Sequence, residues 1–260
     1  MSRLLNDDLI NQNKIIFIIQ ARMGSTRLPR KVMRNIIGNY SMLEVLICRL
    51  LVMFPKKTIW LATTQNQDEL PILELANKYG LNIFQGEEDD VLSRFENICH
   101  LTKAKWVVRI TGDNPLICSK LCIALIKQAI NSKAKISHIS DKKYQRKFPQ
   151  GLVPEIVRVE TLLNLRKIIP IDQRYHLSHV TSIIDETKKE HFVYKDIPAL
   201  AGLRLTVDEQ SDFDVISKIL NIHTGDWRKL DINDINNIRI SNPNIFLVNK
   251  NVKQKDLSHG

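Results

Sequence analysis

Between Gln20 and Lys31 the chain reads QARMGSTRLPRK, a set of residue types suited to holding phosphate. Arg22, Arg27, Arg30 and Lys31 bring positive charge. Gly24 allows a close backbone approach, and Ser25, Thr26 and main-chain N–H groups can donate to phosphate oxygens. Little in the stretch is apolar. It is not a Walker loop: aligned on Lys31, Arg30 replaces the second glycine of G-x-x-x-x-G-K-[ST] and Val32 the hydroxyl residue. No G-x-G-x-x-G occurs, which disfavours a dinucleotide fold. The reading that fits is a triphosphate cradle, and the competing one is a solvated turn stiffened by Pro29.

Two carboxylates complement that loop. Asp113 lies in RITGDNPL, with Gly112 keeping the backbone close and Pro115 fixing the turn. Alone beside a phosphate it would repel; as a Mg²⁺ ligand it makes sense, because Mg²⁺ takes one or two carboxylates together with phosphate oxygens and water. Asp208, in LRLTVDEQSDFDV, is the second candidate, and a pair from separate loops could clamp one ion. For both, the plainer reading is a helix cap or Asx-turn. Asp212-x-Asp214 matches the short D-x-D of metal-dependent glycosyltransferases, but it falls inside an expected helix, where such pairs arise by chance.

Other residues carry less. The acidic run in QGEEDDVLSRF fits complementarity to a helix N-terminus. His176 and His179 could contact a substrate or simply face solvent, and Gln150 and Glu155 border a possible cleft that a plain hairpin explains nearly as well. No Ser-His-Asp or Cys-His spacing stands out, so covalent catalysis is not indicated.

The elements that must place these residues alternate. An apolar run at 14–19 leads into the cationic loop. A helix near 42–53 opens on Ser41-Met-Leu-Glu44, a capping box. Strands are expected at 57–63, 81–85 and 105–110. The first two are separated by a helix begun near Asp68 and stopped at Gly80, the last two by a helix at 89–103. Another helix starts at Ser119. Strands alternating with helices imply a mostly parallel sheet, doubly wound, whose ligands bind beyond the strands' carboxyl ends. Both unusual loops sit there. From 140 to 196 the alternation breaks, with a strand at 152–158, a helix at 159–168 and a strand near 191–195, and this region reads as an insertion subdomain. LRLTVD (203–208) resumes as a core strand, followed by a helix at 210–220 and a last helix near 231–238. The expected divisions are an N-terminal extension, 1–13; one α/β domain, 14–240; and a polar tail, 241–260.

The chain has 260 residues, enough for a sizeable core. Its formal charge of +10 points to anionic partners, yet the lysines are scattered and not interleaved with aromatics, so nucleic-acid binding is not expected. No apolar run approaches the roughly 18 residues of a membrane span, and the N-terminus lacks a signal-peptide core. Four cysteines without paired spacing, with Cys118 and Cys122 on one helix, suggest core packing in a reduced, cytoplasmic protein.

Taken in order, QARMGSTRLPRK, ATTQNQDELPI, FQGEEDDVLSRF, RITGDNPLI, GLVPEIV, SHVTSII and LRLTVDEQSDFDV resemble the cytidylyltransferases related to spore-coat polysaccharide biosynthesis protein F, relatives of the CMP-sialate and CMP-Kdo synthetases. The resemblance spans about 14–240. It implies a glycosyltransferase-A-like nucleotidyltransferase that couples CTP to a sugar acid of the nonulosonate or Kdo kind, or a related acceptor, and releases pyrophosphate. Arg22 and Lys31 would bind the triphosphate and, with Asp113, act in catalysis. The nucleotide would also meet Gln20, Ala21, Gly24, Ser25, Arg27 and Gly112, with the base near Gln20–Arg22. Asp113 and Asp208 would hold Mg²⁺. His179 would contact the acceptor sugar, with Gln150 and Glu155 nearby, and 140–196 would serve acceptor binding and a homodimer contact. Two departures stand out: Arg30 occupies a position where glycine is usual, and Ser178 one where many members carry glutamate. A nucleotide-sugar-dependent glycosyltransferase and a non-catalytic nucleotide-binding protein are the alternatives.

Overall fold

The computed structural model describes residues 3–132, 138–140, 148–170, 172, 184, 188–194 and 200–253. Strand β1, Ile15–Gln20, is apolar at nearly every position because both of its faces are covered. Ile15, Phe17 and Ile19 enter the larger core, while Ile16 and Ile18 enter a second core across the sheet. That removes the alternation a half-exposed strand would show. Helix α1, Arg3–Gln12, precedes it, and Ile10 of α1 is buried in the larger core.

Strands β2 (Asn35–Ile37) and β3 (Tyr40–Ser41) form a small hairpin. The main sheet adds β4 (Ile59–Thr64), β5 (Asn82–Gly86), β6 (Trp106–Thr111), β7 (His138–Ser140), β8 (Glu155–Arg158) and β9 (Lys189–His191). Its order is β5-β4-β1-β6-β8-β7-β9. Every pairing from β5 through β6 is parallel; β8 alone runs against its neighbours β6 and β7. Helices α2 (Met42–Met53), α3 (Leu70–Tyr79) and α5 (Ser119–Asn131) pack on one face. Helices α4 (Val91–Thr102) and α6 (Val159–Ile168) cover the other. The α/β, doubly wound and mostly parallel architecture is therefore as expected.

Local chemistry sets the boundaries. Ser41 Oγ accepts from Glu44 N at 3.2 Å and Glu44 Oε2 from Ser41 N at 3.4 Å, the reciprocal cap that starts α2. Gly80, at φ 62°, stops α3 in the left-handed region where a glycine costs nothing. Arg49 of α2 is buried and donates to the carbonyls of Ile117, Trp227 and Leu230, tying three segments together; burial lowers its pKa to about 10.

Two expectations change. Residues 203–208 are not a strand of the sheet. The position beside β6 is filled by antiparallel β8, so 203–208 runs extended over the sheet's carboxyl end, touching Gln150 through one isolated bridge. The strand placed near 191–195 is β9, shifted to Lys189–His191. Residues 140–196 contribute β8 and β9 to the same sheet. Beyond α7 (Gln210–Ile222) and α8 (Ile232–Ser241), a short turn of 3-10 helix, Pro243–Leu247, brings Phe246 into the core.

Candidate functional site

The loop after β1 is anchored better than its composition suggested. Ala21, Met23, Leu28 and Val32 are buried, so the polar residues between them are presented outward. Met23 N donates to both oxygens of Glu69, at 3.2 and 3.1 Å. Glu69 is only 2% exposed, and it also accepts from Thr63 Oγ1 and Thr64 Oγ1 at 2.9 Å. A buried carboxylate at the end of β4 thus fixes the β1 loop, and Met23's amide is spent on it instead of a ligand. Arg30 adopts φ 54° and ψ 23°, the left-handed region. The loop keeps the backbone shape that a glycine would favour, at a steric cost to arginine. The next three residues, Lys31–Met33, form a 3-10 turn that aims Lys31 across the sheet.

Gly112 brings the exits of β1 and β6 together. Its N–H donates to Gln20 O at 2.8 Å, and a Cβ placed on it would lie 2.9 Å from Ala21 Cβ. Next to it, Gln20 Oε1 is buried with no hydrogen-bond partner among the described residues. Gly24 is exposed and Ser25 half-buried on the rim of the same loop.

At the centre Lys31 Nζ donates to Val207 O at 2.5 Å and to Asp208 Oδ1 at 3.1 Å, and lies 3.9 Å from Asp113 Oδ2. Asp113 accepts from Thr111 Oγ1 through its other oxygen, at 2.5 Å, and is the more accessible of the two carboxylates. Val207 N donates to Asp113 O at 2.8 Å, so the two acidic segments are joined through their main chains. Asp208 Oδ2 meets Arg204 Nη2 at 2.6 Å and Arg27 Nη2 at 3.1 Å. Burial disfavours its ionised form, but Lys31 and Arg27 outweigh that and hold the pKa below the ordinary carboxylate value. Lys31, Asp113, Asp208 and Arg27 therefore form one cluster at the carboxyl end of the sheet.

Arg22 does not join it. Its guanidinium pairs with Glu88, beyond β5, at 2.7 Å, and Glu88 also accepts from Asn66 Nδ2. Both side chains are about half exposed, which puts Arg22 at the mouth instead of the centre. Gln150 is one step removed, its Oε1 accepting from Arg204 Nη1 at 3.3 Å. Glu155 pairs with Arg109, its register partner on β6. His176, Ser178 and His179 lie outside the described residues. Asp212 is fully buried in the first turn of α7 and accepts from the amides of Asp208 and Glu209, so the D-x-D at 212–214 is a helix cap. The four cysteines are free thiols; Cys99, Cys118 and Cys122 are buried, and burial pushes the Cys99 thiol up to about 12.

Glu69, Glu88, Arg204 and Asn249 escaped sequence reasoning. For Arg204 a signal exists: Arg204, Thr206 and Asp208 alternate with Leu203, Leu205 and Val207, setting a cation and a carboxylate on one side of a buried run. Glu69, Glu88 and Asn249 are assigned only by tertiary pairing. A separate shallow groove of ≈ 610 Å³, lined by Lys105, Arg158, Leu163 and Lys167 among others, lies at the opposite end of the sheet from this cluster.

Residues 16–212 match the family model for cytidylyltransferase. An uncharacterized protein of Methanocaldococcus jannaschii is 35% identical over 246 residues, covering 93% of this chain and 97% of that one. The spore coat polysaccharide biosynthesis protein SpsF of Bacillus subtilis is 30% identical over 215 residues, covering 80% and 86%. The structure of a cytidylyltransferase from Leptospira borgpetersenii superposes with a TM-score of 0.80 at 25% identity, covering 94% of this chain and 99% of the other.

Proposed function

Because the chain belongs to the cytidylyltransferase family, and so is a CTP-dependent nucleotidyltransferase, we propose that it transfers CMP from CTP to a sugar acid or a related sugar acceptor. The observation that carries this reading is the convergence of Lys31 with Asp113 and Asp208, three residues from distant parts of the chain. An acceptor oxygen attacks the α-phosphorus, forming a new P–O bond. The bond to the β-phosphate breaks and pyrophosphate leaves with the electron pair. Where the attacking group is a hydroxyl, its proton passes to water.

The chain's own residues have distinct tasks here. Lys31 and Arg27 now neutralise Asp208; an incoming triphosphate offers them a second anionic partner and frees a carboxylate oxygen. Arg22, exposed at the mouth, meets the outer phosphates once it leaves Glu88. The buried amide oxygen of Gln20, unpartnered among the described residues, is an acceptor for an exocyclic amine, which fits a cytosine base lying near Gln20–Arg22. The donor set suits a hard cation: Asp113 and Asp208 would hold Mg²⁺, whose chemistry when bound is to neutralise charge on phosphate oxygens. We further place the protein in the cytoplasm as a homodimer acting in glycan precursor synthesis, on its resemblance to that family. No helix among the described residues is long and apolar enough to cross a membrane.

The test is a screen of purified protein with each nucleoside triphosphate, Mg²⁺ and a panel of sugar acids and sugar phosphates, reading pyrophosphate. Release that needs both CTP and an acceptor is expected. Nucleotide binding without turnover over the whole panel, or consumption of a finished nucleotide sugar, would overturn the reading.

A further inference from the structure

Asn249 lies well past residue 212, where the family match ends, yet it is 3% exposed and sits against the candidate site. The chain reaches it through α8 and the Pro243–Leu247 turn, whose Phe246 is anchored in the core. Beyond it, Lys253 O accepts from Arg27 Nη1 at 3.4 Å, so residues 249–253 run along the cluster like a strap.

The Asn249 amide donates to Asp212 Oδ1 at 2.8 Å and to Arg204 O at 3.0 Å. Arg204 Nε also donates to Asp212 Oδ1, at 2.9 Å. Asp212 Oδ2 accepts from Asp208 N at 2.9 Å, Glu209 N at 3.1 Å and Arg204 Nη2 at 3.2 Å. Arg204 in turn holds Asp208 Oδ2 at 2.6 Å. One buried carboxylate thus fixes both the backbone of Asp208 and the guanidinium that aims its side chain. Asn249 touches both members of that arrangement at once. An apolar residue there would strand a buried carbonyl and remove a donor from a buried carboxylate, each an unsatisfied group in a dry setting.

We propose that Asn249 is a positioning residue for the phosphate and metal cluster, holding Arg204 and Asp212 so that Asp208 faces Lys31 and Arg27. The proposal rests on the functional reading above for what Asp208 does, though not for what Asn249 holds. It makes the C-terminal strap part of the working site.

Two readouts separate these layers in Asn249→Leu, the near-isosteric Asn249→Asp and an exposed control in the turn just before the strap, Leu247→Ser. Amide hydrogen exchange of the ligand-free protein follows the N–H groups of Asp208 and Glu209. Pyrophosphate release from CTP is then followed across a Mg²⁺ titration. Both Asn249 variants are expected to exchange these two amides about tenfold faster or more. They are also expected to lose ~10–100-fold in turnover, as losses of groups that orient metal ligands do, with partial recovery at high Mg²⁺ and a smaller change in KM for CTP than in kcat. Leu247→Ser should match wild type. If Leu at 249 prevents folding, the Asp variant decides. Unchanged exchange at both amides, or an equal effect in Leu247→Ser, would overturn the proposal. A wild-type protein that releases no pyrophosphate would sink the functional reading, while the exchange result still judges Asn249.

Discussion

Lys31 sits between two carboxylates, 3.1 Å from Asp208 and 3.9 Å from Asp113, while a carbonyl takes a third interaction. At such separations each opposite-charge pair is worth on the order of a few kcal/mol in a partly screened setting, before desolvation is charged against it. The arrangement is close enough to balance for a polyphosphate to redistribute it. One residue earlier, Arg30 at φ 54° occupies a conformation that costs a non-glycine residue about 1–2 kcal/mol, partly offset because glycine frees the unfolded chain by roughly 0.5–1 kcal/mol. Arg30→Gly should therefore raise stability by a few tenths to about 1 kcal/mol and leave turnover intact; a lower melting temperature would show that the Arg30 side chain does something the geometry does not account for. At this scale much was legible. Lys31, Asp113 and Asp208 stood out because charged residues followed apolar runs. The partner of Arg22 did not, since the sequence offers four adjacent acids after β5 and only folding selects Glu88.

Elements work here by letting loops from separate strands come close. Gly112 is one such contact, with no room for a Cβ beside Ala21. Gly112→Ala should force the β1 and β6 exits apart, costing about 1–3 kcal/mol of stability as overpacking does and raising KM for CTP. Adding Ala21→Gly should recover most of both losses, because the clash is between those two methyl positions. Thermal melts of the single and double variants check this, and a harmless Gly112→Ala would contradict it. Gly151 meets the same limit, at φ 96° and packed on the backbone of Leu205 and Thr206. The boundaries of α2 and α6 were readable because caps and periodicity are local. Residues 203–208 were misread because alternation fits a strand wherever it packs, while the sheet position beside β6 is settled by competition from β8, a distant segment. Local pattern says that a run is extended and buried; it does not say against what.

Over the whole molecule the +10 charge proves a poor guide, because the site is not a basic patch. Arg22, Arg27, Lys31 and Arg204 are interleaved with Glu88, Asp113, Asp208 and Asp212, so the cleft is a network of ion pairs that a charged ligand can rearrange. One sheet supplies the floor, its parallel strands delivering the loops to one end, and the C-terminal segment closes back on that end through Asn249. The position of that tail was invisible in the sequence, whose last residues read simply as polar. The function proposed above needs a magnesium-dependent triphosphate site here, and Asp113 tests that proposal best. Asn at 113 retains an oxygen to accept from Thr111 Oγ1, so the fold should survive the change. The decisive measurement is pyrophosphate release from CTP by Asp113→Asn at saturating Mg²⁺, beside a thermal melt of the same sample. The account predicts a wild-type melt with turnover reduced by at least ~10²–10³-fold, the usual effect of removing one electrostatic contact in the transition state. Turnover near that of the wild type would contradict it.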